Sequence, residues 1–412
     1  MNTKNVVSKY LARYAEPEVI ERPVLNRQYQ FVTCIPACDE QNTLPDTLAH
    51  LAQVQEARNS LVIVVINARN DAPKRVHQAN QLCADFLRRQ AKVNDAPIAQ
   101  GCFDGMGIVV VDRYIEHRRL PDRQGVGWAR KIAVDLALAW INDGSINSRW
   151  IWSTDADVKV PSDYYVRPIT KDSATSAQLF PFEHQYEGSK QQQQALRYYD
   201  AYLRYYVQGL AQAGSAYAFH TIGSIMCLQA DAYAKVRGFP KKLAGEDFYL
   251  LNKIAKVGTV QTLEGAPIKL SGRTSDRVPF GTGVAVSLIQ NNLDKGHPYE
   301  VYDPQVFIGL KHWLSVVEVA ESAADMNEVE HALERVEEPL GSLLKKAIQA
   351  QNYLTPIRRA IVEVKGDVRR KRLRDWNDAF RALKLIHALR DAGLNNVPAD
   401  DVLTPFMNPG SV

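Results

Sequence analysis

FVTCIPACDEQNTLPDTLAHLAQVQEARNSLVIVVINARNDAP, residues 31–73, is the stretch on which the fold turns. FVTCIP, 31–36, reads as a strand. TLPDTLAHLAQVQ reads as a helix, because Leu44, Leu48 and Leu51 fall at i, i+4 and i+7, on one helical face. LVIVVIN, 61–67, is continuously apolar, as a strand covered on both faces of a parallel sheet would be. RNDAP then makes a polar turn.

The same alternation continues outward. Residues 74–92 read as a second helix and GIVVVD, 107–112, as a third strand. Residues 125–142 form an amphipathic helix, with Trp128, Ile132, Leu136 and Trp140 at steps of four. WIWSTDADV, 150–158, reads as a fourth strand that ends in two aspartates. Strands alternating with helices predict an α/β doubly wound sheet. Ligands on such sheets bind beyond the carboxyl ends of the strands, so the residues just after each strand are the ones to read for chemistry.

The remaining chain organises around that sheet. Residues 1–28 read as an N-terminal helical arm, 29–302 as a catalytic domain, and 303–412 as a helical C-terminal extension. The catalytic domain divides into a nucleotide-binding half, 29–160, and an acceptor half, 161–302. YEGSKQQQQALRYYDAYLRYYVQGLAQ reads as one long helix with a polar start. Its tyrosines, Tyr198, Tyr199, Tyr202, Tyr205 and Tyr206, read first as packing and second as a platform for a sugar ring.

Composition excludes several classes. Of 412 residues, 46% are hydrophobic and 23% charged, which excludes wholesale disorder. A net charge of +4 is too small to imply nucleic-acid binding, and no recognised nucleic-acid module accompanies it. The five cysteines show no C-x-x-C spacing and read as reduced, buried thiols. The longest apolar run, LVIVVI, falls far short of the ~20 residues that cross a bilayer. A cytoplasmic protein is expected. KGDVRRKRLR, 365–374, reads as a solvated helix face, with a peripheral contact to the inner face of the membrane as the sharper alternative.

Two carboxylate groups carry the chemistry. Asp155 and Asp157 lie at i and i+2 at the end of a strand, an arrangement that sends both side chains to one side. There they can share a hard cation, Mg²⁺ or Mn²⁺, which prefers oxygen ligands. Such a cation neutralises a departing diphosphate. Glu246 and Asp247 follow a glycine at a helix start. Helix capping explains them, and so does a general base that takes a proton from an attacking hydroxyl.

IPACDE (35–40), NARND (67–71), GVGWARK (125–131), STDADV (153–158) and AGEDFYLLNKI (244–254), in that order, resemble family 2 glycosyltransferases of the GT-A fold. The resemblance covers roughly residues 30–270. It implies a GT-A-like mixed sheet flanked by helices, and transfer of a sugar from a nucleotide-diphosphate donor to an acceptor hydroxyl, with inversion the commoner outcome. It implies that Pro36, Ala37, Cys38, Glu40, Asn67 and Asp71 hold the nucleoside. Asp155 would contact the ribose or the metal, Asp157 would be the principal metal ligand, Asp247 the base, and Glu246 would orient the acceptor. Arg130 would approach the donor phosphates or base. The acceptor can be a saccharide, a lipid or a small molecule. Where the family often carries an aspartate that reads the base, this chain has Asn67. Some relatives complete the metal shell with a histidine, for which His220 and His297 are the candidates. Arg273 and Arg277, in a Gly- and Ser-rich stretch, can clamp a diphosphate with their guanidinium forks.

Two other functions compete. A nucleotidyltransferase that makes nucleotide sugars usually carries a glycine-rich basic loop after the first strand, where this chain has the acidic ACDEQNT. A non-catalytic nucleotide-sugar-binding protein of the same fold would not need Asp155, Asp157 and Asp247.

Overall fold

The computed structural model describes residues 3–167, 172–186, 188–273 and 281–407. The chain divides into two compact units, one of residues 1–187 and 221–284, the other of residues 188–220 and 285–412.

The first unit is built on a mixed sheet. Its strands, in chain order, are β1 (Phe31–Ala37), β2 (Ser60–Asn67), β3 (Ile98–Phe103), β4 (Met106–Arg113), β5 (Trp150–Ser153), β6 (Val158–Lys159), β7 (Thr175–Leu179), β8 (Phe182–Gln185), β9 (Met226–Gln229), β10 (Thr259–Thr262) and β11 (Ile268–Ser271). Eight of them form one sheet in the order β10-β7-β9-β5-β1-β2-β4-β3. β5, β1, β2 and β4 run parallel, and β9 and β3 run antiparallel to their neighbours. β2 is buried along its whole length, as its unbroken apolar sequence predicts. The Val126–Asn142 helix packs across β1, β2 and β5 and buries Ile132, Leu136 and Trp140. Trp128, the fourth member of that stripe, is only half-buried. Arg113 and Lys241 lie 4.8 and 4.5 Å from its ring, and its Nε1 donates to Glu16 at 2.7 Å.

The strand order creates the crevice. The chain builds β1, β2 and β4 outward in one direction, then returns to lay β5 on the other side of β1. That reversal is a topological switch point, where the loops leaving two neighbouring strands diverge. The β1–β5 pairing ends at Cys34↔Ser153. Pro36, which has no N–H to donate, comes just after that point.

A second sheet of this unit has the order β6-β11-β8. β11 runs antiparallel to β6, with Leu270 opposite Val158 and Lys269 opposite Lys159. The residues after β11 are therefore carried toward those just before β6.

The helical arm belongs to this unit. Tyr10 of the Thr3–Arg13 helix is buried and donates to Asp135 at 2.6 Å. Asp135 also accepts from Lys131 at 2.8 Å, Tyr233 at 3.0 Å and the Glu16 backbone at 2.9 Å. All four oxygen and nitrogen partners face one buried carboxylate, so the network satisfies the charge it encloses.

In the second unit, the Lys190–Gln212 helix opens with a capping box, Ser189 with Gln192. Its tyrosines pack: Tyr205 lies edge-on to Phe307 and Phe406, and Tyr202 meets Tyr299 and Tyr302. Six helices from Gln305–Ser322 to Ala379–Ala392 follow, around Trp313, Tyr353, Leu385 and Leu389. The one strand pair among the described residues here is two residues long on each side, Glu300–Val301 with Val397–Pro398, too short to leave a pattern in sequence. Five of the six basic residues of 365–374 are held within the unit. Arg369 donates to the carbonyls of Val364, Ala323 and Ile361. Arg370, Lys371, Arg372 and Arg374 pair with Asp367, Asp375, Glu363 and Glu321. A solvated, ion-paired face accounts for that run. No helix among the described residues is long and apolar enough to cross a membrane.

Candidate functional site

The loops after β1 and β5 border the switch point, and the residues singled out in sequence gather there. WIWSTDADV does not run as one strand. β5 stops at Ser153, and Asp155 and Asp157 lie in the turn before β6. The buried Thr154 hydroxyl donates to the Ser224 carbonyl at 2.9 Å, away from any ladder. The i, i+2 rule of a strand therefore does not set these carboxylates; two arginines do.

Arg130, on the first turn of the Val126–Asn142 helix, holds Asp155. It is 3% exposed, and each of its three nitrogens has a partner within the protein. Nη2 pairs with Asp155, Nε donates to Glu246 at 2.9 Å, and Nη1 donates to Ser153 Oγ at 3.0 Å and the Thr154 carbonyl at 3.2 Å. Burial pulls its pKa down, but the Asp155 and Glu246 carboxylates outweigh burial and hold it charged. Two glycines make room. A Cβ on Gly223 would lie 2.4 Å from Arg130 Nη2, and one on Gly127 would lie 2.4 Å from the Pro240 carbonyl oxygen and 2.9 Å from the Glu246 Cβ. Gly127 thus lets the Glu246–Ile254 helix start against the helix that carries Arg130.

Glu246 is buried and Asp247 beside it is partly accessible. Asp247 Oδ1 accepts from the Phe248 backbone at 2.7 Å. Burial first, and the neighbouring Glu246 charge second, push the Asp247 carboxyl up to about 7. Glu246 is also raised, by burial, with Arg130 opposing. A carboxyl that ionises near neutral pH is suited to taking a proton.

Arg273, two residues past β11, holds Asp157. Its Nη2 lies 3.0 Å from Asp157 Oδ2, and 2.6 and 2.5 Å from the two Glu40 oxygens. Glu40 also accepts from Thr43 Oγ1 at 2.5 Å. Arg277 lies outside the described residues.

The predicted nucleoside loops are joined by a residue that sequence reading missed. Asp39 N–H donates to Asn80 Oδ1 at 2.9 Å, and Asn80 Nδ2 donates to the Asn67 carbonyl at 2.8 Å. Asn67 is buried, and its Nδ2 donates to the Ala37 and Val65 carbonyls at 3.1 and 3.2 Å. Arg75 pairs with Asp39 at 2.5 Å, and Asp71 pairs with Arg69 at 2.9 Å. Asn80 was visible in principle: with Val76, Cys83 and Leu87 it falls on the apolar stripe of its helix, where an amide needs a reason. Pro36 and Ala37 are buried at the end of β1, and Cys38 is half-buried just beyond. Cys34, Cys83 and Cys227 are buried free thiols as expected, but Cys102 is exposed, on edge strand β3.

Hard oxygen donors at Asp155 and Asp157 suit Mg²⁺ or Mn²⁺, which bind through one or two carboxylates plus substrate phosphates. Among the described residues no group of three or more His, Cys, Asp and Glu could complete a shell from protein alone. His220 and His297 belong to the second unit, and burial pushes His220 down to about 4.

No protein-family model matches the chain. No curated protein matches it in sequence. Among solved structures it is similar to residues 1–349 of TarS from S. aureus, in complex with UDP-GlcNAc, at 10% identity over 81% of this chain and 90% of that one, TM-score 0.41. It is similar to the mannosyltransferase PcManGT from Pyrobaculum calidifontis, in complex with GDP-Man and Mn2+, at 14% identity over 92% and 95%, TM-score 0.37. A third is M. tuberculosis glucosyl-3-phosphoglycerate synthase, at 10% identity over 72% and 88%, TM-score 0.31. These likenesses are partial, and the reading of the site rests on its own residues.

Proposed function

We propose that the chain is a glycosyltransferase that moves a sugar from a nucleotide-diphosphate donor to an acceptor hydroxyl, with a divalent cation at Asp157 and Asp155. One observation supports it above the others. Asp155 from one segment and Glu246 from another meet on Arg130 at the β1/β5 switch point, with Asp157 two residues from Asp155 and Asp247 next to Glu246.

The loops that end β1 and β2, tied together through Asn80, form the nucleoside end of the cleft. The cation supplies positive charge to the diphosphate. Asp247 accepts the proton of the acceptor hydroxyl, whose oxygen forms the new bond to the anomeric carbon. The bond from that carbon to the diphosphate oxygen breaks, and the nucleoside diphosphate leaves with its electron pair. A single displacement of this kind inverts the anomeric centre. Glu246, fixed by Arg130, orients the acceptor end.

The test is slow donor hydrolysis, measured as nucleoside diphosphate released from a panel of UDP- and GDP-sugars with Mn²⁺. Release by the wild-type chain that is lost in Asp157→Ala supports the reading. Binding of nucleotide sugars without any turnover points instead to the non-catalytic binding protein.

A further inference from the structure

We propose that Arg273 is an internal counter-cation of Asp157 and competes with the divalent metal for that carboxylate before a donor arrives. The proposal rests on the reading of Asp157 as the metal ligand.

The register of the second sheet places the two groups together. Leu270 lies opposite Val158, so the chain leaving β11 meets the chain entering β6. Asp157 comes immediately before β6 and Arg273 two residues after β11. The meeting follows from backbone pairing and needs no ligand.

The contact itself is poorly matched to a guanidinium. One nitrogen, Nη2, serves Asp157 and both oxygens of Glu40. Nε is buried with no hydrogen-bond partner among the described residues. An arginine fork in its best arrangement places two parallel N–H groups on one carboxylate or phosphate. Here the fork is unused, and a buried donor is left unmet, at a cost in free energy. The arrangement does satisfy charge. Glu40 and Asp157 come from the loops after β1 and β5, and a positive group between them offsets their repulsion.

A divalent cation would occupy the same electrostatic position. A cation and Arg273 draw on the same Asp157 charge, so metal entry weakens the contact of this partly exposed arginine. Asp155 differs, since Arg130 takes one of its oxygens and is buried and immobile. A diphosphate resolves the conflict, because it offers oxygens to the displaced guanidinium and to the cation together. Metal then binds weakly alone and well with donor.

The experiment is Mn²⁺ binding to the full donor-free chain, read from the free-ion electron paramagnetic resonance signal. Arg273→Ala is expected to tighten Mn²⁺ by about tenfold, and Arg273→Lys, which keeps the charge, to stay near wild type. Melting temperatures of the variants show that each is folded. Unchanged or weaker Mn²⁺ binding in Arg273→Ala overturns the competition, as does equal tightening in Arg273→Lys. Asp157→Asn separates the two ideas. If Mn²⁺ binding persists in Asp157→Asn, or no variant binds Mn²⁺, the metal reading of Asp157 itself fails. If it is lost there but indifferent to Arg273, only the competition fails.

Discussion

Two arginines each hold two carboxylates in the first unit, and they are built differently. Arg130 is 3% exposed, uses all three of its nitrogens, and lies under Gly223. The Arg273 side chain is 33% exposed, uses one nitrogen, and leaves Nε unmet. The first arrangement is scaffold, since each of its three nitrogens is engaged and the side chain is buried. The second is looser, since the guanidinium is partly exposed and its Nε has no partner. The carboxylates follow the same division: Asp155 and Glu246 sit against a buried arginine, and Asp157 against a partly exposed one.

The strongest way to break the comparison is through the base. Asp247→Asn should lower kcat by about 10²–10⁴-fold, with little change in donor binding. A small loss would remove Asp247 from the chemistry. The wild-type rate should rise with pH through neutrality and level off above about 7, where Asp247 is ionised. The stability sign is opposite. The carboxyl is raised from 3.8, so the folded chain binds a proton the unfolded chain has released, and stability falls as pH climbs toward 7. Urea titrations at several pH values should show this slope, and Asp247→Asn should flatten it.

Arg130→Met comes next. It strands the buried Glu246 carboxylate and the half-buried Asp155 and should cost about 3–5 kcal/mol by urea denaturation. Gly127→Ala, which drives a methyl into the Pro240 carbonyl and the Glu246 Cβ, should cost about 1–3 kcal/mol. Arg273→Ala should cost less than Arg130→Met, about 1–3 kcal/mol, because the arginine itself is 33% exposed although it leaves the buried Glu40 without that partner. If Arg130→Met and Arg273→Ala cost the same, the distinction between buried and looser arginines is lost.

Sequence carried the frame of this division but not its arginine pairings. FVTCIP, LVIVVIN and GIVVVD could only be buried strands, and the helix at 125–142 announced its own buried face. The edge hairpin of β3 and β4 was missed, although Asp104–Gly105, with φ of 47° and 89°, is the dipeptide a tight hairpin turn requires. β3 itself, IAQGCF, has Gln100 and Gly101 at its centre and no apolar alternation, so it does not register as a strand. Asp155, Asp157, Glu246 and Asp247 stood out because carboxylates after strands and at helix starts are chemically conspicuous. That Arg130 joins Asp155 to Glu246, 91 residues apart, depends on helix packing that no local pattern encodes. The same holds for Arg273 and Glu40, separated by 233 residues.

Calorimetric titration of UDP and GDP into the full chain, with Mn²⁺ present and absent, tests the assignment of the cleft most directly. One of the two should bind, more tightly with Mn²⁺, and the metal-dependent gain should vanish in Asp157→Asn. Failure of both nucleotides to bind, or a gain untouched by Asp157→Asn, would contradict a nucleotide-sugar site at the β1/β5 crevice.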